Sequence, residues 1–167
     1  MIRAIGAVDD RLGLATDDGI PWKVPADVEH FRFTVASSDV LMGYATYAEF
    51  ERPLPGSTNF VAARPGSTLR HGFVPVADLD SFLAEHVDAE LWVIGGATVY
   101  ARTLPTVQEL SLTRVEGDFG CTKFFPPFES AFRLVSDDPS PPVVGTPNIR
   151  FQLWRRHPGP EERGHRA

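Results

Sequence analysis

Ile20-Pro21-Trp22-Lys23-Val24-Pro25-Ala26-Asp27-Val28-Glu29-His30-Phe31 joins a proline-stiffened approach to the start of a helix. Pro25 suits the first helical position, where a missing N–H costs nothing and the fixed φ is already helical. Asp27 then falls in the first turn, and Phe31 lies one turn further along the same face. Val28, Phe31 and Val35 give the helix an apolar stripe, so Asp27 is expected at the edge of buried surface, with no neighbouring base. Two readings are open. An exposed Asp at a helix start is favoured by the helix dipole. A carboxylate beside Trp22 and Phe31 also has what a pocket needs to grip a flat, protonatable heterocycle and assist its protonation.

On either side of this stretch, strand patterns alternate with helical ones. Residues 2–8 read as a strand, followed by a long irregular loop from Asp9 to Val24, and loops of that length in a compact domain are usually functional. The helix spans 25–36. Val40-Leu41-Met42 is a short apolar run closed by Gly43, with a helix expected from Thr46 to Phe50. Arg52-Pro53-Leu54-Pro55-Gly56 must be loop. Strands follow at Asn59–Ala63 and Phe73–Val76, then a helix capped by Asp78 and running to about His86. Leu91 to Ile94 is a buried strand, Gly95-Gly96 a break, Ala97 to Leu104 a helix and Glu109 to Val115 a strand. Arg133–Ser136 and Ile149–Trp154 look like a closing antiparallel pair joined by a proline-rich loop. Residues 1–156 are expected to form one domain, and the polar residues 157–167 a disordered tail. The pattern predicts an α/β three-layer sandwich: a mainly parallel, mixed sheet with helices on both faces and an antiparallel edge.

Composition narrows the function. At 167 residues the chain can bury a substantial core. Its net charge of −6 argues against nucleic acid as a partner. No apolar run approaches the ~20 residues of a membrane span, and the N-terminus lacks a signal-peptide layout. A single cysteine, Cys121, excludes an internal disulfide. The five histidines show no ligand spacing, so no metal site is expected. A cytoplasmic setting fits these features.

Two segments repeat one arrangement, an apolar strand ending in glycine and leading into a helix: Val40-Leu41-Met42-Gly43 and Val93-Ile94-Gly95-Gly96. Glycine lets the backbone approach a ligand closely, and the helix start offers free N–H groups to an anion. Two such turns could share one long, doubly charged ligand such as a dinucleotide. Their spacing is neither the Rossmann fingerprint nor a Walker loop.

Taken together, the segments resemble the dihydrofolate reductase family. The likeness comprises Ile5-Gly6-Ala7, Ile20-Pro21-Trp22-Lys23-Val24-Pro25-Ala26-Asp27, Met42-Gly43 with Thr46, and Arg52-Pro53-Leu54-Pro55-Gly56. It continues in Val93-Ile94-Gly95-Gly96 with Val99-Tyr100, and in Leu112-Thr113. The resemblance implies about eight strands and four helices, with NADPH as cofactor and a small dihydropterin as substrate. It implies catalytic roles for Asp27, Trp22 and Thr113: Asp27 holding the pterin, Thr113 supporting it, Trp22 ordering water. Ile5, Ala7, Val28, Phe31, Phe50, Ile94 and Tyr100 would surround the substrate. The cofactor would meet Ala7, Leu14, Ile20, Gly43, Tyr44, Ala45, Thr46, Ala63, Arg64, Ile94, Gly95, Gly96, Ala97, Thr98, Val99 and Tyr100. Gly95-Gly96 would carry a cis peptide, and the loop from Asp9 to Val24 would close over the nicotinamide. A monomer is expected.

Several positions depart from the family pattern. The Arg that usually follows Pro-Leu-Pro-Gly, and clamps the folate α-carboxylate, is Ser57; Arg32 and Arg52 are the substitutes within reach in sequence. Tyr44 and Thr98 stand where Arg is common, leaving Arg64 as the expected partner of the cofactor 2′-phosphate. The family's Gly-Asp-Thr-x-Phe-Pro appears as Gly120-Cys121-Thr122-Lys123-Phe124-Phe125-Pro126, so the Asp that tethers the lid is Cys121. Ala15 stands where the lid often has Gly. Rival readings are a reductase of a tail-less dihydropterin, the related reductase of riboflavin biosynthesis, and a non-catalytic pterin- or nucleotide-binding paralogue.

Overall fold

Apolar side chains cover both faces of the central strands. Leu41, Leu91 and Val93 belong to one core, while Val40, Met42, Trp92 and Ile94 belong to the other. This alternation of direction within continuous apolar runs marks strands buried on both sides. The computed structural model describes residues 1–159. In chain order its elements are β1 (Ile2–Val8), β2 (Gly13–Ala15), α1 (Pro25–Val35), β3 (Asp39–Gly43), α2 (Tyr44–Glu49), β4 (Asn59–Ala62) and β5 (Phe73–Val76). They continue with α3 (Leu79–Glu85), β6 (Leu91–Gly95), α4 (Ala97–Thr103), β7 (Glu109–Val115), β8 (Lys123–Phe124), β9 (Phe132–Pro139) and β10 (Ile149–Arg156).

Eight strands form one sheet in the order β5-β4-β3-β6-β1-β7-β10-β9. The first six are mutually parallel, and β10 and β9 add the antiparallel edge. The expected mixed α/β sandwich is the observed one. Right-handed crossovers send α1 and α2 to one face and α3 and α4 to the other. Accordingly Val35 and Tyr47 pack in one core, and Leu79, Phe82, Leu83, Val99 and Tyr100 in the other.

Helix starts follow local chemistry. Pro25 occupies the first turn of α1, and Asp78 caps α3 by accepting from the Ser81 N–H at 3.0 Å. Several elements differ from expectation. Helix α2 begins at Tyr44, directly at the glycine corner. Strands β9 and β10 each run to eight residues, because their pairing tolerates a bulge near Leu153. The loop from Asp9 to Val24 is not wholly irregular: β2 pairs with β8. Of the expected tail, His157 still ties to Ala131, its N–H donating to the carbonyl at 2.9 Å, and residues 160–167 lie outside the described residues. No helix among the described residues is long and apolar enough to cross a membrane.

Candidate active site

The chain moves outward from β1 through β3 and β4 to β5, then returns to insert β6 between β3 and β1. The reversal places a topological switch point between β3 and β6, where ligands of open parallel sheets bind beyond the strands' carboxyl ends. A cleft of about 1310 Å³ opens there, walled by residues at the carboxyl ends of β1, β3, β4, β5 and β6 and by α1, α2 and α4. Five adjacent strands at the usual spacing span roughly 19 Å, enough for an elongated ligand.

The two glycine corners meet at the centre of this cleft. A Cβ built on Gly43 would lie 2.9 Å from Val99 Cγ2 and 3.6 Å from the Gly96 nitrogen. Gly95 has φ +131°, a conformation open mainly to glycine, and the Gly95-Gly96 peptide is cis, as the resemblance implies. The Thr46 hydroxyl lies beside both: a Cβ on Gly95 or Gly96 would come within 3.2 or 3.3 Å of it. The cradle therefore leaves backbone bare where a phosphate-bearing ligand would need to approach closely.

Asp27 projects from the first turn of α1 into the cleft. Burial pushes its carboxyl above the ordinary value, partly offset by a hydrogen bond from the Thr113 hydroxyl and by the charge of His30. Thr113 itself is only 1% exposed and sits on β7, opposite Ala7 of β1. The expectation that Asp27 has no neighbouring base is corrected: His30, one turn on, faces it electrostatically. Tyr100, buried beneath, donates its hydroxyl to the Ile5 carbonyl and seats α4 against β1.

Most expected site residues line this one cleft. Ile5, Ala7, Val28, Phe31, Phe50, Ile94 and Tyr100 form its wall near Asp27. Leu14, Ile20, Gly43, Tyr44, Ala45, Thr46, Ala63, Arg64, Gly95, Gly96, Ala97, Thr98 and Val99 complete the expected cofactor set. Four residues are not wall-forming. Thr113 stands behind Asp27. Trp22 is buried in a separate cluster with Val24, Val115 and Ile149, its ring 5.2 Å edge-on from Phe119. Arg32 and Arg52 are exposed outside the wall. The apolar stripe of α1 is likewise corrected: Val28 is 47% exposed because it faces the open cleft, while Val35 alone is fully buried.

Sequence reasoning missed Glu49, Ser67, Thr68, Val76, Ala77, Leu79, Arg102 and Lys123 in the wall. Ser67 and Thr68 follow β4, and Val76 and Ala77 end β5, so the rule of carboxyl strand ends could have found them. Lys123 comes from β8, brought in only by its pairing with Ala15.

The loop after β1 is anchored by Asp9. Its buried carboxylate accepts from the N–H groups of Arg11 at 2.9 Å, Gly13 at 2.7 Å and Phe119 at 3.2 Å. Burial pushes this carboxyl up, but those donors together with the Cys121 thiol outweigh it and hold it below the ordinary value. Asp10 adds a second tie, accepting from the Gly117 N–H at 3.0 Å. Cys121 thus occupies the expected tether position, while the acid stands on the other loop. Burial and the Asp9 charge push the Cys121 thiol up to about 11, which removes it as a nucleophile at neutral pH.

Fold, switch-point cleft, glycine cradle and half-buried acid together fit an α/β enzyme that binds a dinucleotide beside a small heterocycle. The dihydrofolate reductase family profile matches residues 1–154. The chain is 34% identical over 131 residues to the type 3 dihydrofolate reductase of Salmonella typhimurium, covering 78% of this chain and 81% of that protein. It is 31% identical over 140 residues to dihydrofolate reductase of Bacillus subtilis, covering 83% of each. Its fold superposes with a TM-score of 0.85 on Enterococcus faecalis dihydrofolate reductase complexed with NADP(H) and RAB-propyl, at 24% identity, covering 95% and 97% of the two chains. The chain belongs to the dihydrofolate reductase family. It is an oxidoreductase whose reaction is the NADPH-dependent reduction of dihydrofolate.

Proposed function

We propose that Asp27 is the group through which this enzyme converts 7,8-dihydrofolate to 5,6,7,8-tetrahydrofolate. The observation that carries the reading is an acid, desolvated and supported by Thr113, in the same cleft as both glycine corners. Asp27 holds the amino group and N3 of the pterin, fixing the ring's orientation. NADPH, when bound, supplies the hydride received at C6, and N5 takes its proton from solvent. Thr113 keeps the Asp27 carboxylate aimed at the ring. Ile5, Phe31, Phe50 and Ile94 exclude water from the reacting face, which strengthens every polar interaction inside.

Gly43, Thr46 and the backbone from Gly95 to Val99 are the residues that would hold the cofactor's pyrophosphate, and Arg64 its 2′-phosphate. The bare backbone of the cradle supports this fit. Ser57 bears on the substrate's glutamate tail. Its hydroxyl is buried without a hydrogen-bond partner, and Arg32 and Arg52 are exposed outside the cleft wall. The tail therefore adds little to binding, and a dihydropterin lacking it should serve as well. We further read residues 1–156 as one catalytic unit, which the eight-stranded sheet with strands from Ile2 to Arg156 supports, and take it to act as a monomer in the cytoplasm, without nucleic-acid or membrane partners.

Loss of NADPH absorbance with dihydrofolate, a tail-less dihydropterin and the ribosyl pyrimidine of riboflavin synthesis tests the reading. Turnover with the first two at comparable kcat/KM is expected. A strong preference for dihydrofolate defeats the tail argument, and turnover of the pyrimidine alone defeats the assignment.

A further inference from the structure

His30 lies one turn beyond Asp27 on α1, where residues three apart are side-by-side neighbours. Its ring packs at a tilt on Phe151 of β10, with centroids 4.3 Å apart and planes inclined by 35°. Its Nε2 lies 3.3 Å from the Ser111 hydroxyl on β7. Ser111 and Thr113 are two apart on that strand and so point to the same face. Helix and strand are thus linked by the His30–Ser111 contact, on the same strand that carries Thr113.

We propose that His30 is a positioning residue for the Asp27 carboxylate, holding α1 in register on β7 through Ser111 and setting the acid's charge state with its own. The proposal rests on Asp27 being the substrate-holding acid. Histidine is suited to this because small changes in its surroundings move its charge on or off at mildly acid to neutral pH. Burial pushes His30 down from its ordinary value while the Asp27 charge pulls it back up. Asp27 is displaced the opposite way, up by burial and back down by His30. The charge of each is therefore felt at the other.

The surroundings leave few competing charges. A cavity of about 300 Å³ borders His30 on the side away from Asp27, lined by Trp92 of β6, Ser111 of β7, Ser136 and Asp138 of β9, and Gln152 of β10. Asp138 is the one ionisable group lining that cavity besides His30.

The test uses His30→Gln, which keeps a hydrogen-bonding group toward Ser111 but removes the titratable charge, and His30→Phe, which keeps the packing on Phe151 alone. Without the imidazolium Asp27 should hold its proton to higher pH. The limb of the kcat/KM profile governed by Asp27 is then expected to rise by about 0.2–0.4 unit in both variants. Reciprocally, the His30 imidazole followed by NMR should titrate lower by a similar amount in Asp27→Asn than in the unaltered enzyme. That second measurement needs no turnover and no His30 variant, so it stands even if those variants fold poorly. Superimposable profiles accompanied by a lower Tm would reduce His30 to a packing residue, and an unchanged imidazole titration in Asp27→Asn overturns the coupling. Retained activity in Asp27→Asn would instead remove the assignment of Asp27, leaving the NMR coupling as a separate result.

Discussion

The Phe119 N–H donates to Asp9 Oδ2 at 3.2 Å, across 110 positions of sequence. That bond closes the loop after β1 onto the loop between β7 and β8, and Asp9 also satisfies the N–H groups of Arg11 and Gly13. The tether that Cys121 lacks is thus supplied from the opposite side. Space around it is short: a Cβ on Gly13 would lie 2.5 Å from Cys121 Cβ and 2.7 Å from Asp9 Oδ1.

Asp9→Ala leaves buried donors without an acceptor and should cost about 1–3 kcal/mol of stability. Because the folded carboxyl sits below its ordinary value of 3.8, its contribution is complete above that value and fades as pH falls through the lower folded one. Denaturant unfolding at neutral pH and in acid checks both points. A stability gap that is constant across this range would show that the carboxylate charge is not what holds the loop.

Asp27→Asn should fold normally and lose turnover at neutral pH by about 10²–10⁴-fold. The same change should stabilise the protein at neutral pH. Its carboxyl is raised in the folded state, so the native protein keeps a proton to higher pH than the unfolded chain, and stability falls as pH rises from 3.8 through the folded value. Asn removes that loss. The gain should vanish below pH 3.8. Tm scans across pH, with kcat measured in parallel, separate this stability–activity exchange from simple misfolding.

The sheet and its helices were legible because the signals are local: apolar runs, the two glycine corners, Pro25 and Asp78. Most of the cleft followed, since the expected residues sit at carboxyl strand ends. What escaped depends on distant segments. Strands β2 and β8 have three and two residues, too few for periodicity to register, and Lys123 reaches the cleft only through their pairing. Trp22 packs edge-on against Phe119, in a cluster that also meets Ala7 of the cleft wall, a contact between distant segments that local pattern does not show. Arg70 gave no sequence signal at all. It buttresses α2 by donating to the Tyr47 carbonyl at 2.7 Å, its guanidinium 4.0 Å from the Tyr47 ring centroid.

Gly43→Ala tests the cradle. The added methyl would meet Val99 Cγ2 at 2.9 Å, with the Gly96 nitrogen and Gly95 oxygen at 3.6 and 3.7 Å. Relief requires Val99 to turn or the two corners to part. Overpacking of this kind costs about 1–3 kcal/mol, expressed here where the cofactor would lie. The KM for NADPH should rise about tenfold or more, with the KM for dihydrofolate little changed. Equal effects on both would indicate that the corners serve the fold rather than the cofactor.

Arg64 decides how strongly the enzyme prefers NADPH over NADH, which lacks the 2′-phosphate. It stands just beyond β4, in the wall with Ser67 and Thr68, two hydroxyls suited to the same oxygens. The remaining cations in the wall are Arg102 and Lys123. Arg102 is drawn to Asp80 at 3.3 Å, which offsets its charge, and Lys123 belongs to the tethered loop beside Ala15. Arg64 has no carboxylate within ion-pair distance among the described residues. A charged hydrogen bond is worth about 1.5–3 kcal/mol when sheltered, and Arg64 is exposed, so the lower end applies. Arg64→Ala should therefore lower kcat/KM for NADPH about tenfold and leave NADH unaffected, whereas Arg102→Ala should do less. If Arg64→Ala depresses both cofactors equally, the guanidinium supports the loop after β4 and the 2′-phosphate is read elsewhere.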